Sequence, residues 1–335
     1  VGLGEMLAEK VKLVFKVNTG AAVLGLGYII GLKYSAIICA GSFLVWFIIV
    51  PLMSAIFGND VLTFGNAAIT ATVGSMSAEQ IFTTYARHIG IGGIATAGVI
   101  GIIKSWSIIK SAVGLASKEL KGNTASTDQN LVRTQKDLSM KVIAFGLFAA
   151  LIVIFLFFWM GVLDNWYYAV IGLLLVGIIA FLFTTVAANA IAIVGTNPVS
   201  GMTLMTLILS SIILVAVGLK GTAGMVSALI IGGVVCTALS MAGGFITDLK
   251  IGYWLGSTPK KQESWKFLGT LVSAATVGFV ILILNQTYGF TTGQLAAPQA
   301  NAMAAVIEPL MSGSGAPWIL YAIGAAIAII LNFCK

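Results

Sequence analysis

The chain has 335 residues, of which 59% are apolar and only 9% charged, against the roughly 25% charged residues that a water-facing surface needs. That shortage excludes soluble enzymes, nucleic-acid modules and disordered scaffolds, and it leaves a polytopic helical membrane protein, all-α in class. The net charge of +7 is carried in the gaps between apolar runs, so it sets membrane orientation and does not mark a nucleic-acid surface.

Residues 1–16 hold Glu5, Glu9, Lys10, Lys12 and Lys16 and lack the apolar core of a cleavable signal; the first residue is Val1, so an upstream part is expected. A short, glycine-dotted apolar stretch, 18–32, reads as a half-helix, a re-entrant segment or the tail of a span. About eight full spans follow, each near the 20 apolar residues a bilayer requires: 34–57, 88–109, 142–160, 167–187, 202–219, 222–247, 266–284 and 317–333. Broken helices are expected among them.

Lys and Arg fix the orientation. Lys110, Lys118, Lys121, Arg133, Lys136 and Lys141 in one gap, and Lys250, Lys260, Lys261 and Lys266 in another, place both gaps in the cytoplasm. The gap 58–86, with Asp60 and Glu79 and no base, and 285–316, with Glu308 alone, face outside; Lys220 is the one mild exception. The whole chain, 1–335, reads as one membrane-embedded domain, with 113–138 a cytoplasmic loop too polar to bury a core of its own. The membrane expected is the cell membrane.

Catalytic signatures are missing. Gly98, Gly101, Lys104 and Ser105 imitate the end of a phosphate-binding loop, but Ile103 stands where a glycine must precede the lysine. With one histidine, His88, and no CxxC pair among Cys39, Cys236 and Cys334, neither a metal site nor a cofactor is expected, and no enzyme. His88 beside Arg87 reads as interfacial. Gly27 with Gly31, and Gly252 with Gly256, are spaced for close helix packing.

Three polar interruptions are the candidate substrate and proton sites. The first runs from Val186 to Met202 and contains Asn189, Asn197, Pro198, Ser200 and Gly201; Pro198 removes a backbone donor and Gly201 loosens the chain. Either a substrate-binding helix break or a plain cytoplasmic connection fits it. The second, 243–262, holds Asp248, which can pair with Lys250, exchange protons, or simply sit solvated at the boundary. The third is Ala297-Pro298-Gln299-Ala300-Asn301, followed by Glu308-Pro309. Glu79 and Arg87, eight residues apart, form the other charged pair on the outer side.

Several pieces together resemble the oligopeptide transporter family, which includes the yellow-stripe-like metal-chelate carriers. They are Gly27-Tyr28-Ile29-Ile30-Gly31 with the run from Gly41 to Pro51, Tyr85-Ala86-Arg87-His88-Ile89-Gly90, Arg133-Thr134-Gln135-Lys136-Asp137-Leu138, Asn197-Pro198-Val199-Ser200-Gly201-Met202, Asp248-Leu249-Lys250 with Gly252-Tyr253 and Gly256-Ser257-Thr258-Pro259, and Ala297-Pro298-Gln299-Ala300. Their order is that of the family's C-terminal half, which implies a fragment, a split gene product or an incomplete sequence; the partner expected is a missing N-terminal half or a second copy in a homodimer. Gly243-Gly244-Phe245 before Asp248, and the charge of Glu308, depart from the family pattern.

The resemblance implies proton-coupled symport of oligopeptides or of metal-chelate complexes into the cytoplasm. Substrate would meet Asn189, Asn197, Pro198, Ser200, Gly201, Gln299 and Asn301, and Asp248, Glu308, Glu79 and Arg87 would serve proton coupling. A passive channel and a non-transporting half that needs a partner are the alternatives.

Overall fold

The computed structural model describes residues 3–17, 19–64, 69–120, 132–163, 165–194, 199–290, 298–313 and 315–334, and among them every regular element is helical. Among the described residues six helices are long and apolar enough to cross a membrane, and two shorter apolar ones, Met202–Val217 and Trp318–Phe333, bring the apolar helices into register with the eight runs read from the sequence.

In chain order these are α1 (Leu3–Lys10), α2 (Ala21–Ile30), α3 (Leu32–Phe57), α4 (Ala78–Lys104), α5 (Trp106–Leu120), α6 (Met140–Gly161), α7 (Trp166–Val194), α8 (Val199–Val217), α9 (Gly221–Trp254), α10 (Pro259–Thr287), α11 (Pro298–Ser312) and α12 (Trp318–Phe333). The ten residues of α2 cover only about 15 Å, half the hydrocarbon thickness. That helix stops at Gly31, whose φ of 83° is glycine's territory, and the bend is tied by the Ser35 hydroxyl donating to the Gly27 carbonyl at 3.1 Å. Gly31 is therefore a turn residue and not half of a packing pair. Gly256, at φ 68°, likewise turns the chain between α9 and α10.

Other boundaries differ from the sequence reading. Helix α9 runs unbroken through Gly243, Gly244, Asp248 and Lys250, so the interruption near 243–262 narrows to Leu255–Thr258. Helix α5 continues to Leu120, taking in the first residues of the 113–138 loop. The polar stretch at Pro298 begins a helix, α11, because proline suits the first helical turn, where its missing N–H costs nothing.

The chain packs as two units interleaved in sequence, one of Val1–Gly101, Val194–Gly232 and Ala302–Lys335, the other of Ile102–Ile193 and Gly233–Asn301. The first unit holds α1–α3, nearly all of α4, α8, α11 and α12. Its core gathers Val50, Val73, Ile81, Tyr85 and Leu320, with a second cluster of Ile91, Leu204 and Val306. Two buried hydroxyls on α8 are satisfied locally: Thr206 donates to the Met202 carbonyl at 2.9 Å and Ser210 to the Thr206 carbonyl, while the Ser211 hydroxyl has no partner among the described residues. In a medium without water that back-bonding is the cheapest partner available.

Helices α4 and α12 approach to backbone contact. A methyl group at Gly324 would overlap the Ile89 carbonyl and stand 2.8 Å from the Gly93 nitrogen. One at Gly92 would overlap the Tyr321 carbonyl and stand 2.7 Å from its Cα. Neither obstacle is a flexible side chain tip, so only glycine fits. Close approach of this kind replaces the hydrophobic drive that helices lack inside lipid.

In the second unit, the segment before α6 is bound across the α9–α10 turn. Arg133 donates to the Gly256 carbonyl at 3.0 Å and to the Thr258 hydroxyl at 3.1 Å, the Lys260 N–H to the Lys136 carbonyl at 2.9 Å, and the Leu138 N–H to Glu263 at 2.6 Å. The first turn of α10 thus finds an acceptor on another segment.

Gly324→Ala should lower the detergent-solubilised melting midpoint clearly, by overpacking worth about 1–3 kcal/mol. Gly146→Ala, in α6 with open space around it, should be neutral or stabilising. Equal midpoints for the two variants would contradict the contact between α4 and α12.

Candidate functional site

Two of the spans in the first unit are not regular α-helices throughout. Leu44–Ile49 within α3 and Phe82–Ala86 within α4 are π-helical, and the two segments meet where Trp46 stacks on Phe82 with ring centroids 4.9 Å apart. Single π turns widen the backbone and concentrate at functional positions. The start of α4 is fixed by a capping box: the Ser77 hydroxyl accepts from the Gln80 N–H at 3.2 Å while the Gln80 side-chain oxygen accepts from the Ser77 N–H at 2.8 Å.

The π segment of α4 separates two cavities. One, of about 350 Å³, is lined by Val14, Lys16, Trp46, Glu79, Phe82 and Thr83. The other, of about 230 Å³, is bounded by Thr63, Phe64, Thr83, Thr84, Tyr85 and His88, with Pro309, Pro317 and Leu320 closing it from α11 and α12. Thr83 lines both.

The first cavity is charged. Lys16 Nζ lies 2.7 Å from Glu79 Oε1, with the two side chains 76% and 66% exposed, so the pair is solvated and holds little stability. It shows that the segment before α2 reaches the end of the unit where α4 begins. Arg87 does not meet Glu79; its guanidinium lies over the Phe82 ring, 5.6 Å from the centroid.

The second cavity carries no formal charge. The Tyr85 hydroxyl donates to the Leu62 carbonyl at 2.9 Å, and the Tyr85 ring meets Phe64 edge-on at 6.0 Å. Phe64 has φ 43°, a conformation that an aromatic residue adopts only when its surroundings impose it. The His88 ring packs edge-on against Tyr321 at 5.6 Å. His88 Nδ1 and the Tyr321 hydroxyl are both buried without a hydrogen-bond partner among the described residues. A π segment, a strained loop residue and His88, one of the two residues with an unsatisfied buried polar atom, thus converge on one small cavity, with Tyr321 packed behind His88.

The residues expected from the sequence fall elsewhere. Asp248 on α9 pairs with Lys266 on α10, while Lys250 lies over Tyr253 and Trp254 at 5.3 and 5.4 Å. Asp248 and Lys266 are 50% and 33% exposed, as suits a boundary position. Glu308 is exposed on α11, next to Pro309 of the uncharged cavity, and its backbone carbonyl accepts from the Ser312 hydroxyl at 2.6 Å. Asn189 is half-buried within α7, and Asn301 is exposed in the first turn of α11. Asn197 and Pro198 lie outside the described residues; Ser200 and Gly201 belong to the first turn of α8 and Gln299 to that of α11. Asn189 and Asp248 belong to one unit, Glu79, Arg87 and Glu308 to the other.

Reading the sequence missed Thr63, Phe64, Thr83, Thr84 and Tyr321. A polar run, Thr83-Thr84-Tyr85, beside the apolar stretch from 88 was the available signal. The strained backbone at Phe64 left none.

A curated relative from Haemophilus influenzae, described as "Putative oligopeptide transporter", is 26% identical over 342 residues, which cover 92% of this chain and 51% of the relative. The chain therefore spans about half the length of that relative. No solved structure matches it. A family model described as OPT oligopeptide transporter protein matches residues 3–335, and the chain belongs to that family.

Proposed function

We propose that this chain is a secondary active carrier that brings oligopeptides or metal-chelate complexes into the cytoplasm by symport with protons, across the cell membrane. The observation that carries this reading is the pair of facing π segments, which interrupt two spans beside cavities of mixed polarity. A carrier needs backbone that departs from the regular helix where it lines a cavity, because lipid tolerates such backbone nowhere else. Family membership supports the same reading.

On this reading the charged cavity faces outside, since 58–86 holds acids and no base while Arg133, Lys136, Lys260 and Lys261 lie on the cytoplasmic side. Substrate binds near the interruption between α7 and α8. The N-terminal end of α8, at Val199–Gly201, offers the positive end of a helix dipole to a carboxylate, and the amides of Asn189, Asn197, Gln299 and Asn301 supply hydrogen bonds. Asp248 and Glu308 carry the coupled proton, with Glu79 and Arg87 tuning the outer charge. A second reading, a half that works only beside a further half or a second copy, is favoured by the 51% coverage of the relative.

Pro198→Leu or Gly201→Leu, either of which would straighten the interruption, should abolish uptake into proteoliposomes while leaving the protein in the membrane; unchanged uptake would remove this site. Replacing Asp248 with Asn and Glu308 with Gln together should abolish uphill uptake driven by an inward proton gradient. Persistence of uphill uptake with the same pH dependence would refute that assignment. Silence of the wild-type chain alone, restored by a co-reconstituted partner half, would select the second reading.

A further inference from the structure

The 230 Å³ cavity is smaller than the roughly 300–1,000 Å³ of a pocket that holds a whole ligand, so it suits one part of a larger one. Its wall tells which part. Among the described residues no Asp, Glu, Lys or Arg lines it, and an unpaired charge placed there would lose its hydration for nothing in return. Carbon faces come from Phe64, Ile69, Pro309, Pro317 and Leu320.

The polar wall is biased toward acceptors. Thr83 spends its hydroxyl proton on the Gln80 carbonyl at 3.0 Å and Tyr85 spends its own on the Leu62 carbonyl at 2.9 Å. Each oxygen keeps lone pairs for a donor supplied from elsewhere. Next door, across Thr83, lie Lys16 and Glu79 with the stacked Trp46 and Phe82. A solute with a charged end and a neutral side chain would find one chamber for each.

We propose that the cavity bounded by Thr63, Phe64, Thr83, Thr84, His88 and Pro309 is a subsite for one uncharged, hydrogen-donating side chain of the solute, a phenol or a carboxamide, while the adjoining Lys16–Glu79 chamber takes the solute's charged end. This rests on the carrier reading and adds to it a specificity determinant at the outer cavities, which the solute meets before the binding site at the start of α8. The subsite prefers Tyr and Gln to Glu and Lys because it offers acceptors without a countercharge. It admits Ala without preference because a methyl group reaches none of them.

The test is calorimetric titration of the purified chain with Ala-Tyr-Ala, Ala-Gln-Ala, Ala-Ala-Ala, Ala-Glu-Ala and Ala-Lys-Ala, in wild type, Thr84→Phe and Thr84→Val. The first variant fills the cavity and the second keeps its shape but removes a hydroxyl. Wild type should bind the Tyr and Gln peptides roughly tenfold more tightly than the Glu and Lys peptides. Thr84→Phe should bind all five with the affinity of Ala-Ala-Ala, and Thr84→Val should lose preference for Gln before Tyr.

Peptides that bind without side-chain preference, or a preference that survives Thr84→Phe, would overturn the subsite and leave the carrier reading standing. Saturation-transfer NMR with p-cresol, the tyrosine side chain alone, separates the two ideas. If no peptide binds but p-cresol does, in wild type and not in Thr84→Phe, the peptide reading fails and the cavity's chemistry holds. If p-cresol gives no signal that depends on Thr84, the subsite is refuted whatever the peptides do.

Discussion

The contact on which the first unit depends is the crossing of α4 and α12 at Gly92 and Gly324, where backbone meets backbone with no room for a methyl group. Dispersion and close fit, not exclusion from water, must hold helices together in lipid, and they grow steeply as axes approach. The crossing has a geometric consequence one turn away. It brings His88 against Tyr321 and sets Pro317 and Leu320 across from Thr84 and Tyr85, which makes the walls of the uncharged cavity.

The rest of the site follows from what a bilayer permits. Polar side chains within the spans bond to the carbonyl one turn back, as Thr96 does to Gly92 and Thr184 to Ala180, so that few hydroxyls are left to lipid. Charges stay near helix ends: Lys16 with Glu79, Asp248 with Lys266, and Lys250 over Tyr253 and Trp254. Against that economy, the buried and unpartnered Nδ1 of His88 and hydroxyl of Tyr321 stand out as a cost that packing alone does not require. His88 lines the same cavity as the π segment and the strained Phe64.

Much of the architecture was legible because the bilayer leaves few options. A run of about 20 apolar residues is expected to be helical, and all eight runs are, with 88–109 divided at Ser105 between α4 and α5. Gly31 illustrates what was not legible: Gly27 and Gly31 have the spacing of a packing pair, yet φ at Gly31 makes it a turn, and spacing carries no dihedral information. Gly92 and Gly324, the glycines that do bring helices together, lie far apart in sequence, and only the fold pairs them. The apparent break near Asp248 was composition misread as geometry, because glycines are tolerated inside membrane helices and α9 passes straight through Gly243 and Gly244. The charged residues were found as residues but not as pairs: Asp248 sits two positions from Lys250 and meets Lys266 on the next helix instead. On a helix, neighbours two apart point in different directions.

The central proposal, that solute enters the Thr84 cavity from the side on which we place the adjoining charged cavity, is tested most directly by thiol accessibility. Thr84→Cys would be made in a chain whose Cys39, Cys236 and Cys334 are replaced by Ser, reconstituted in vesicles of known orientation and treated with a membrane-impermeant maleimide. The account requires labelling from the face that carries residues 58–86, slowed severalfold by Ala-Tyr-Ala and not by Ala-Lys-Ala. Labelling only from the opposite face, or at a rate that neither peptide alters, would contradict it.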